Sequence, residues 1–366
     1  MNKKIKNYFT VALAALFIFG FSLWGVLSPD KEMSVSERRK LATFPEISYE
    51  NIYSGKFMTD FETYSLEQFP IRDSFRGLKA NAVYNGFLMK DNNGIFLKNG
   101  HIFKTEYPYN AESVNRATDI FKGIYDKYLN DGNNIYVSVI PDKNYFIGAD
   151  SGQLVMDYSK LFSAVRNNMN YADYIDITGL LTLDDYYYTD SHWRQEKIVP
   201  VARYLLSSMG NKPSDRNYTE NVSPIPFYGV YYGQSAVKTE ADTLRYLTDS
   251  VISNAQVYDY ETEKNISVYD TEKLSSADPY ETFLSGSKSL LTVDNPDALT
   301  DKELIVFRDS FGSSIAPLLL DGYSRITLID IRYLPSSALG EYVDFTNSDV
   351  LFLYSASVLN NSITLK

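Results

Sequence analysis

Two short runs in this 366-residue chain hold residue types that could do nucleophilic chemistry. The first is Arg308-Asp309-Ser310-Phe311-Gly312-Ser313-Ser314, which follows the apolar stretch Leu304–Phe307. A serine at a strand-to-helix turn presents its hydroxyl at the end of a sheet. The N–H groups of Ser310 and Gly312 would lie close enough to stabilise an oxyanion. The second run is Thr189-Asp190-Ser191-His192-Trp193. Asp and His two positions apart can pair across a turning backbone, so that the carboxylate fixes the imidazole tautomer and stabilises the imidazolium. Each run also has a rival reading as a helix cap: Ser310, Ser313 or Ser314 in one, Thr189, Asp190 or Ser191 in the other. The chain has two histidines. His101 follows a hairpin-like Asn99-Gly100 and has no acid beside it, so a serine activated by imidazole would have to use His192, with Asp190 behind it.

These runs sit in an alternating pattern of helix and strand. Val114, Ala117, Phe121, Ile124 and Tyr128 recur at helical spacing. Residues 134–140 read as a strand that stops at Pro141. A short strand is expected over 171–177 and a helix over about 194–209, kinked at Pro200 and ended by Gly210. Residues 304–307, 326–329 and 350–354 read as strands, and a helix is expected to begin near Ile315. Such alternation implies an α/β fold with a mostly parallel central sheet. Its ligand crevice should lie at the carboxyl ends of the strands. The Tyr- and Ser-rich stretch 215–287 breaks the rhythm and reads as a small β-rich insertion. The implied organisation is a membrane segment over 1–29, a membrane-proximal segment over 30–105, a sheet domain over 106–214 and 288–366, and the insertion between its two parts.

Composition narrows the function. A formal net charge of −11 argues against nucleic acid as a partner, because that affinity comes from cations on phosphates. With no cysteine and two histidines, thiol catalysis and the usual metal sites are out of reach, and neither a metal nor a cofactor is expected. The 31 tyrosines suit either core and rim packing or stacking on sugars. At the N-terminus, Lys3, Lys4 and Lys6 precede an uncharged run from Asn7 to Pro29. That run is long enough to cross a membrane, and the lysines would keep its start in the cytoplasm. No clean small-x-small cleavage site follows, which favours an uncleaved single-pass anchor with the bulk of the chain outside the cytoplasm. A cleaved signal and a secreted protein are the alternative.

The Thr-Asp-Ser-His-Trp run resembles the Asp-x-His-Trp motif of the DHHW protein family and of the alginate O-acetylation proteins, which are SGNH-hydrolase-like. Arg308-Asp-Ser310-Phe resembles their serine motif. Phe227-Tyr-Gly229, Phe283-Leu-Ser-Gly286, Ile329-Asp-Ile-Arg-Tyr333, Glu37-Arg-Arg-Lys-Leu and Phe69-Pro-Ile-Arg72 are also similar to stretches of that family. One position departs from it: Ser191 stands where the family's name motif has its first histidine. The order is permuted relative to ordinary SGNH hydrolases, with Asp-x-His first and the serine near the C-terminus. The resemblance implies a three-layer SGNH-like fold and a Ser310-His192-Asp190 triad. It implies an acyl transfer, acetyl in the relatives, to an exported or cell-surface polysaccharide, beside a membrane-bound O-acyltransferase. A carbohydrate esterase with the same triad, or a non-catalytic glycan-binding or scaffolding protein, are the rival functions. Asn144 is the candidate for the SGNH oxyanion asparagine. Lys143, Tyr228 and Arg332, beside strand ends or in motif-like loops, are candidate substrate contacts.

Overall fold

The computed structural model describes residues 3–148 and 152–366. The chain divides into two compact units, one of residues up to Asn93 with Tyr232–Thr239, the other of Gly94–Tyr231 with Glu240–Lys366.

The first unit begins with the helix Lys3–Leu27, long and apolar enough by length and composition to cross a bilayer. Two further helices, Lys56–Glu67 and Arg72–Asn81, are separated at Pro70, which cannot continue a helix. Glu37 lies 2.7 Å from Arg72, and 3.2 Å from both Arg76 and Arg39. Burial raises its carboxyl, but the guanidiniums of Arg72, Arg76 and Arg39 outweigh that and hold it below the usual range. Two of the family-like motifs therefore meet as one ion cluster. The segment 232–239 is threaded tightly through this unit: a Cβ on Gly233 would lie 1.4 Å from the Ser36 carbonyl oxygen.

The second unit is built on an eight-stranded sheet. In chain order its strands are β1 (Ile135–Ile140), β2 (Asp173–Tyr174), β3 (Gln256–Asp259), β4 (Lys264–Ile266), β5 (Leu290–Asp294), β6 (Glu303–Arg308), β7 (Arg325–Ile329) and β8 (Asp349–Ser355). The spatial order is β4-β3-β5-β7-β6-β8-β1-β2. From β7 to β2 all pairings are parallel; β4, β3 and β5 add on antiparallel. The sheet is thus mostly parallel, as the alternating pattern implies.

The central strands are apolar throughout because both faces are covered. Leu304 and Val306 of β6, with Leu351 and Leu353 of β8, pack on α3 (Val199–Ser208) and α4 (Phe311–Leu319). Ile305 and Phe307, with Val350 and Phe352, face the other way onto α1 (Ala111–Tyr128) and α2 (Tyr158–Asn168). This is the three-layer arrangement.

Three local expectations differ. The strand expected over 171–177 shortens to the two residues of β2. Helix α3 starts at Val199 rather than near 194, with Pro200 in its first turn. A proline there removes an N–H that would be unpaired anyway, so it opens the helix instead of kinking it. Within 215–287, β3 and β4 do not stand off as a separate extension. Val257 is buried in the sheet core, and β3 pairs with β5 over four residues. The Asn99-Gly100 signal does give a hairpin, Ile95–Lys98 with His101–Lys104; both turn residues have positive φ, 50° and 79°.

Candidate active site

Because β6, β8 and β1 are parallel neighbours, their carboxyl ends share one edge of the sheet. Ser310 follows β6 there and stands at the N-cap of α4. Its hydroxyl makes no cap hydrogen bond. Instead Ser310 Oγ lies 2.7 Å from His192 Nε2. His192 Nδ1 lies 2.6 Å from Asp190 Oδ1, which also accepts the His192 backbone N–H at 3.0 Å. Asp190 Oδ2 accepts the Val230 N–H at 2.9 Å. The Asp190 side chain is 1% exposed and that of His192 14%. The carboxylate is therefore shielded and pinned while the imidazole edge and the serine reach solvent.

The capping rivals are not what the residues do. Residues 186–193 form a loop closed by an antiparallel bridge between Tyr186 and Trp193 and by the Tyr187 N–H donating to the His192 carbonyl. Helix α3 starts seven residues after His192, so neither Asp190 nor Ser191 caps it.

The imidazole is held on its faces as well as in its plane. The Tyr280 ring stacks on it with centroids 3.8 Å apart and planes 10° from parallel. Phe311 lies 4.8 Å away on a tilted ring. Ser314 Oγ gathers this shell: it accepts from Trp193 Nε1 at 2.8 Å and from the Tyr280 hydroxyl at 2.9 Å. A serine, an imidazole and a carboxylate within hydrogen-bond reach of one another can carry acyl transfer through a serine ester.

Neither a family model nor a curated protein matches the chain. Solved structures do. A DHHW family protein from Eubacterium siraeum DSM 15702 superposes with a TM-score of 0.58 at 18% identity, over 75% of this chain and 97% of its own. Bacillus cereus PatB1 gives 0.56 at 15% identity, over 73% and 97%. The same protein with a sulfonyl adduct gives 0.55 at 14%, over 72% and 97%. The chain shares their fold.

Within that fold the remaining expected site residues separate into groups. The Gly312 N–H already donates to the Asp309 carbonyl at 3.0 Å, so it is not offered to an oxyanion. The Ser310 N–H has no acceptor among the described residues. Asn144 is buried, and its Nδ2 donates to the Lys104 carbonyl at 2.8 Å and to Asp142 at 3.0 Å, which commits it to the loops beside the site. Lys143 is buried too, with Nζ 3.0 Å from the Tyr187 carbonyl and 3.2 Å from that of Tyr188, beneath the histidine loop rather than facing substrate. Burial pushes its ammonium down to about 7 against the pull of Asp190, Asp242 and Asp142. Arg332 makes a two-point pair with Asp330, at 2.8 and 2.6 Å, and so braces its own loop. Tyr228 is 41% exposed and directly precedes Gly229. His101 is a core histidine: it is 1% exposed, burial pushes it down to about 4, and its ring packs 4.3 Å from that of Tyr188.

Sequence reasoning missed Tyr280, Ser314, Asp242 and the constraint on Gly229. A Cβ on Gly229 would come 2.2 Å from Asp190 Cβ. The Phe227-Tyr-Gly run carried a signal for Gly229. Tyr280 is one tyrosine among 31 and carried none.

Proposed function

We propose that this protein is a membrane-anchored, extracytoplasmic O-acyltransferase that uses Ser310, His192 and Asp190 to acylate a polysaccharide. The chain of contacts Ser310–His192–Asp190, at 2.7 and 2.6 Å, carries the reading. As Ser310 Oγ attacks the carbonyl of an acyl donor, its proton passes to His192 Nε2. Asp190 holds the opposite ring nitrogen and balances the imidazolium. The Ser310 N–H faces the developing oxyanion. Collapse breaks the bond to the donor's leaving group, which takes the proton from His192 and leaves an ester on Ser310. A sugar hydroxyl then attacks this ester and gives its proton to His192; the acyl–Oγ bond breaks, His192 returns the proton to Ser310 Oγ, and the acylated sugar departs.

The resemblance in the two motifs supports acetyl as the group and an exported polysaccharide as acceptor. The apolar helix Lys3–Leu27 supports the anchor, and with it placement beside a membrane-bound O-acyltransferase. Water in place of the sugar hydroxyl would make the same triad a carbohydrate esterase. The test uses full-length protein in detergent and a fluorophosphonate probe. Ser310 should label covalently, and Ser310→Ala should abolish labelling while thermal unfolding stays unchanged. Equal labelling of the variant would place the nucleophile elsewhere. Incubation with an acetyl donor, with and without oligosaccharide, then separates transfer from hydrolysis by whether acetyl appears on sugar or as free acetate.

A further inference from the structure

The loop that carries Asp190 and His192 is gripped from two sides by opposite charges. On one side Lys143 Nζ donates to the carbonyls of Tyr187 and Tyr188, at 3.0 and 3.2 Å. On the other, Asp242 Oδ1 accepts the Tyr188 N–H at 2.8 Å, and Oδ2 accepts the Thr189 N–H at 2.7 Å and the Thr189 hydroxyl at 2.5 Å. Both side chains are buried, Lys143 to 2% and Asp242 to 6% exposure. They come from unrelated places, one just after β1 and the other from residues 240–244 ahead of the short strand Arg245–Thr248. Neither touches Ser310. The gripped peptide units end where the working pair begins, since Asp190 is the next residue.

Resting on the triad reading above, we propose that Lys143 and Asp242 form a clamp that positions the Asp190–His192 pair and balances its charge. Three observations support this. Two buried, oppositely charged groups each spend two or more hydrogen bonds on adjacent peptide units, which fixes the backbone more stiffly than a turn would. Thr189, held by Asp242, accepts the Gly229 N–H at 2.8 Å, so the clamp also sets the segment that donates Val230 N–H to Asp190. The Lys143 ammonium faces Asp190 and Asp242 across the loop, Asp142 on its own segment, His101 on the hairpin, and the rings of Phe103 and Tyr231 at 5.3 and 5.2 Å. His192 in turn is met by Asp190, Tyr280, Phe311 and Ser310. Lys143 is thus a cation within electrostatic reach of both Asp190 and Asp242.

The charges make opposite predictions for one profile. Below about pH 7, where Lys143 holds its proton, removing that cation leaves Asp190 and Asp242 uncompensated, favours the imidazolium, and moves the acidic limb of the reaction to higher pH. Removing the Asp242 anion moves it to lower pH. The rate of fluorophosphonate labelling is measured against pH for full-length wild type, Lys143→Met and Asp242→Asn in detergent. The plateau should fall roughly tenfold or more in both variants, because the base is less well placed. The limb should move by about 0.5–1 pH unit in opposite directions. Lys143→Arg and Asp242→Glu keep the charges and should leave the limb at the wild-type position, and they serve if the neutral variants do not fold. Limbs that stay put or move together in the neutral variants, or that move in the charge-conserving ones, overturn the clamp and leave the triad standing. A wild type that does not label overturns both.

Discussion

Gly229→Ala tests the site without touching any group that would react. The Gly229 N–H donates to Thr189 Oγ1 at 2.8 Å, and the next N–H, of Val230, donates to Asp190 Oδ2. That approach is possible because residue 229 has no side chain. An added methyl would meet Asp190 Cβ at 2.2 Å, Asp190 Cα at 2.4 Å and the Thr189 carbonyl oxygen at 2.5 Å. These are backbone or backbone-fixed atoms, so no rotamer relieves the clash. Carbon atoms settle at about 3.5 Å, so the two segments must part by about 1.3 Å. A shift of that size exceeds what the 2.6 Å Asp190–His192 contact can absorb. Misplacement by about 1 Å costs on the order of 10²-fold in rate, and overpacking of this kind costs about 1–3 kcal/mol of stability. The expected result is a labelling rate at Ser310 reduced roughly 100-fold in a protein that still unfolds cooperatively at a somewhat lower temperature. Gly123→Ala is the control. It lies inside α1, where an added Cβ meets nothing within 4 Å, and it should be neutral or slightly stabilising. If Gly229→Ala labels at the wild-type rate, the 2.2 Å approach does not govern the placement of Asp190, and the account of the loop is wrong.

Two further variants read other parts of the shell. Tyr280→Leu removes the ring stacked on His192, whose π face favours the imidazolium by about 0.5–2 kcal/mol, so labelling should slow roughly 2- to 30-fold. Tyr280→Phe keeps the ring and loses the bond to Ser314, and should stay near wild type; equal losses in the two variants would refute the role of the stack. Glu106 is raised to about 7, first by burial and then by Asp142, with Lys104 opposing. Its folded value lies above the unfolded 4.5, so the native state holds a proton that the unfolded chain releases, and stability falls as pH rises from about 4.5 to 7. Glu106→Gln should flatten that fall and raise the denaturation midpoint at pH 8 more than at pH 5, and an equal change at both would show that Glu106 is not the group responsible.

What was legible in the sequence follows from how each feature is encoded. The central strands announced themselves because a strand covered on both faces has to be apolar at every position, as Leu304–Phe307 and Val350–Leu353 are. The edge was less legible. β3 and β4 contain Gln256, Lys264 and Asn265, which are exposed at the sheet's margin and break any apolar run, so the region reads as a separate β-rich insertion and not as part of the sheet. The scarcity of histidine left one candidate base, and Ser310 and Asp190 followed from local spacing. The residues around them did not. Asp242 and Tyr280 reach the site from 52 and 88 residues beyond Asp190 and His192, as contacts that only the fold creates. Lys143 and Arg332 misled for a related reason. A cation near a strand end has the same sequence signature whether it faces a ligand or is spent on Tyr187, Tyr188 and Asp330.

The serine run shows why the order of the two motifs along the chain is free. Of Arg308, Asp309 and Ser310, only Ser310 meets the base. Asp309 is a staple: Oδ1 accepts the Phe311 N–H at 3.0 Å, at the start of α4, and Oδ2 accepts the Ser355 N–H at 2.8 Å, at the end of β8. Arg308 lies buried against Gly312, where a Cβ would meet its side chain at 2.6 Å. The position of Ser310 is therefore fixed by β6, β8 and α4. The position of the base is fixed by Lys143 after β1, by Asp242, by Gly229 and by Tyr280. These two sets share no covalent segment. They meet because parallel strands end on one edge, so any chain order that brings β1, β6 and β8 side by side, and keeps the contacts of Asp242, Gly229 and Tyr280 to the 186–193 loop, delivers the same three atoms to the same place. The physical requirement is the shared edge. The connectivity that produces it can be permuted without moving Ser310 away from His192.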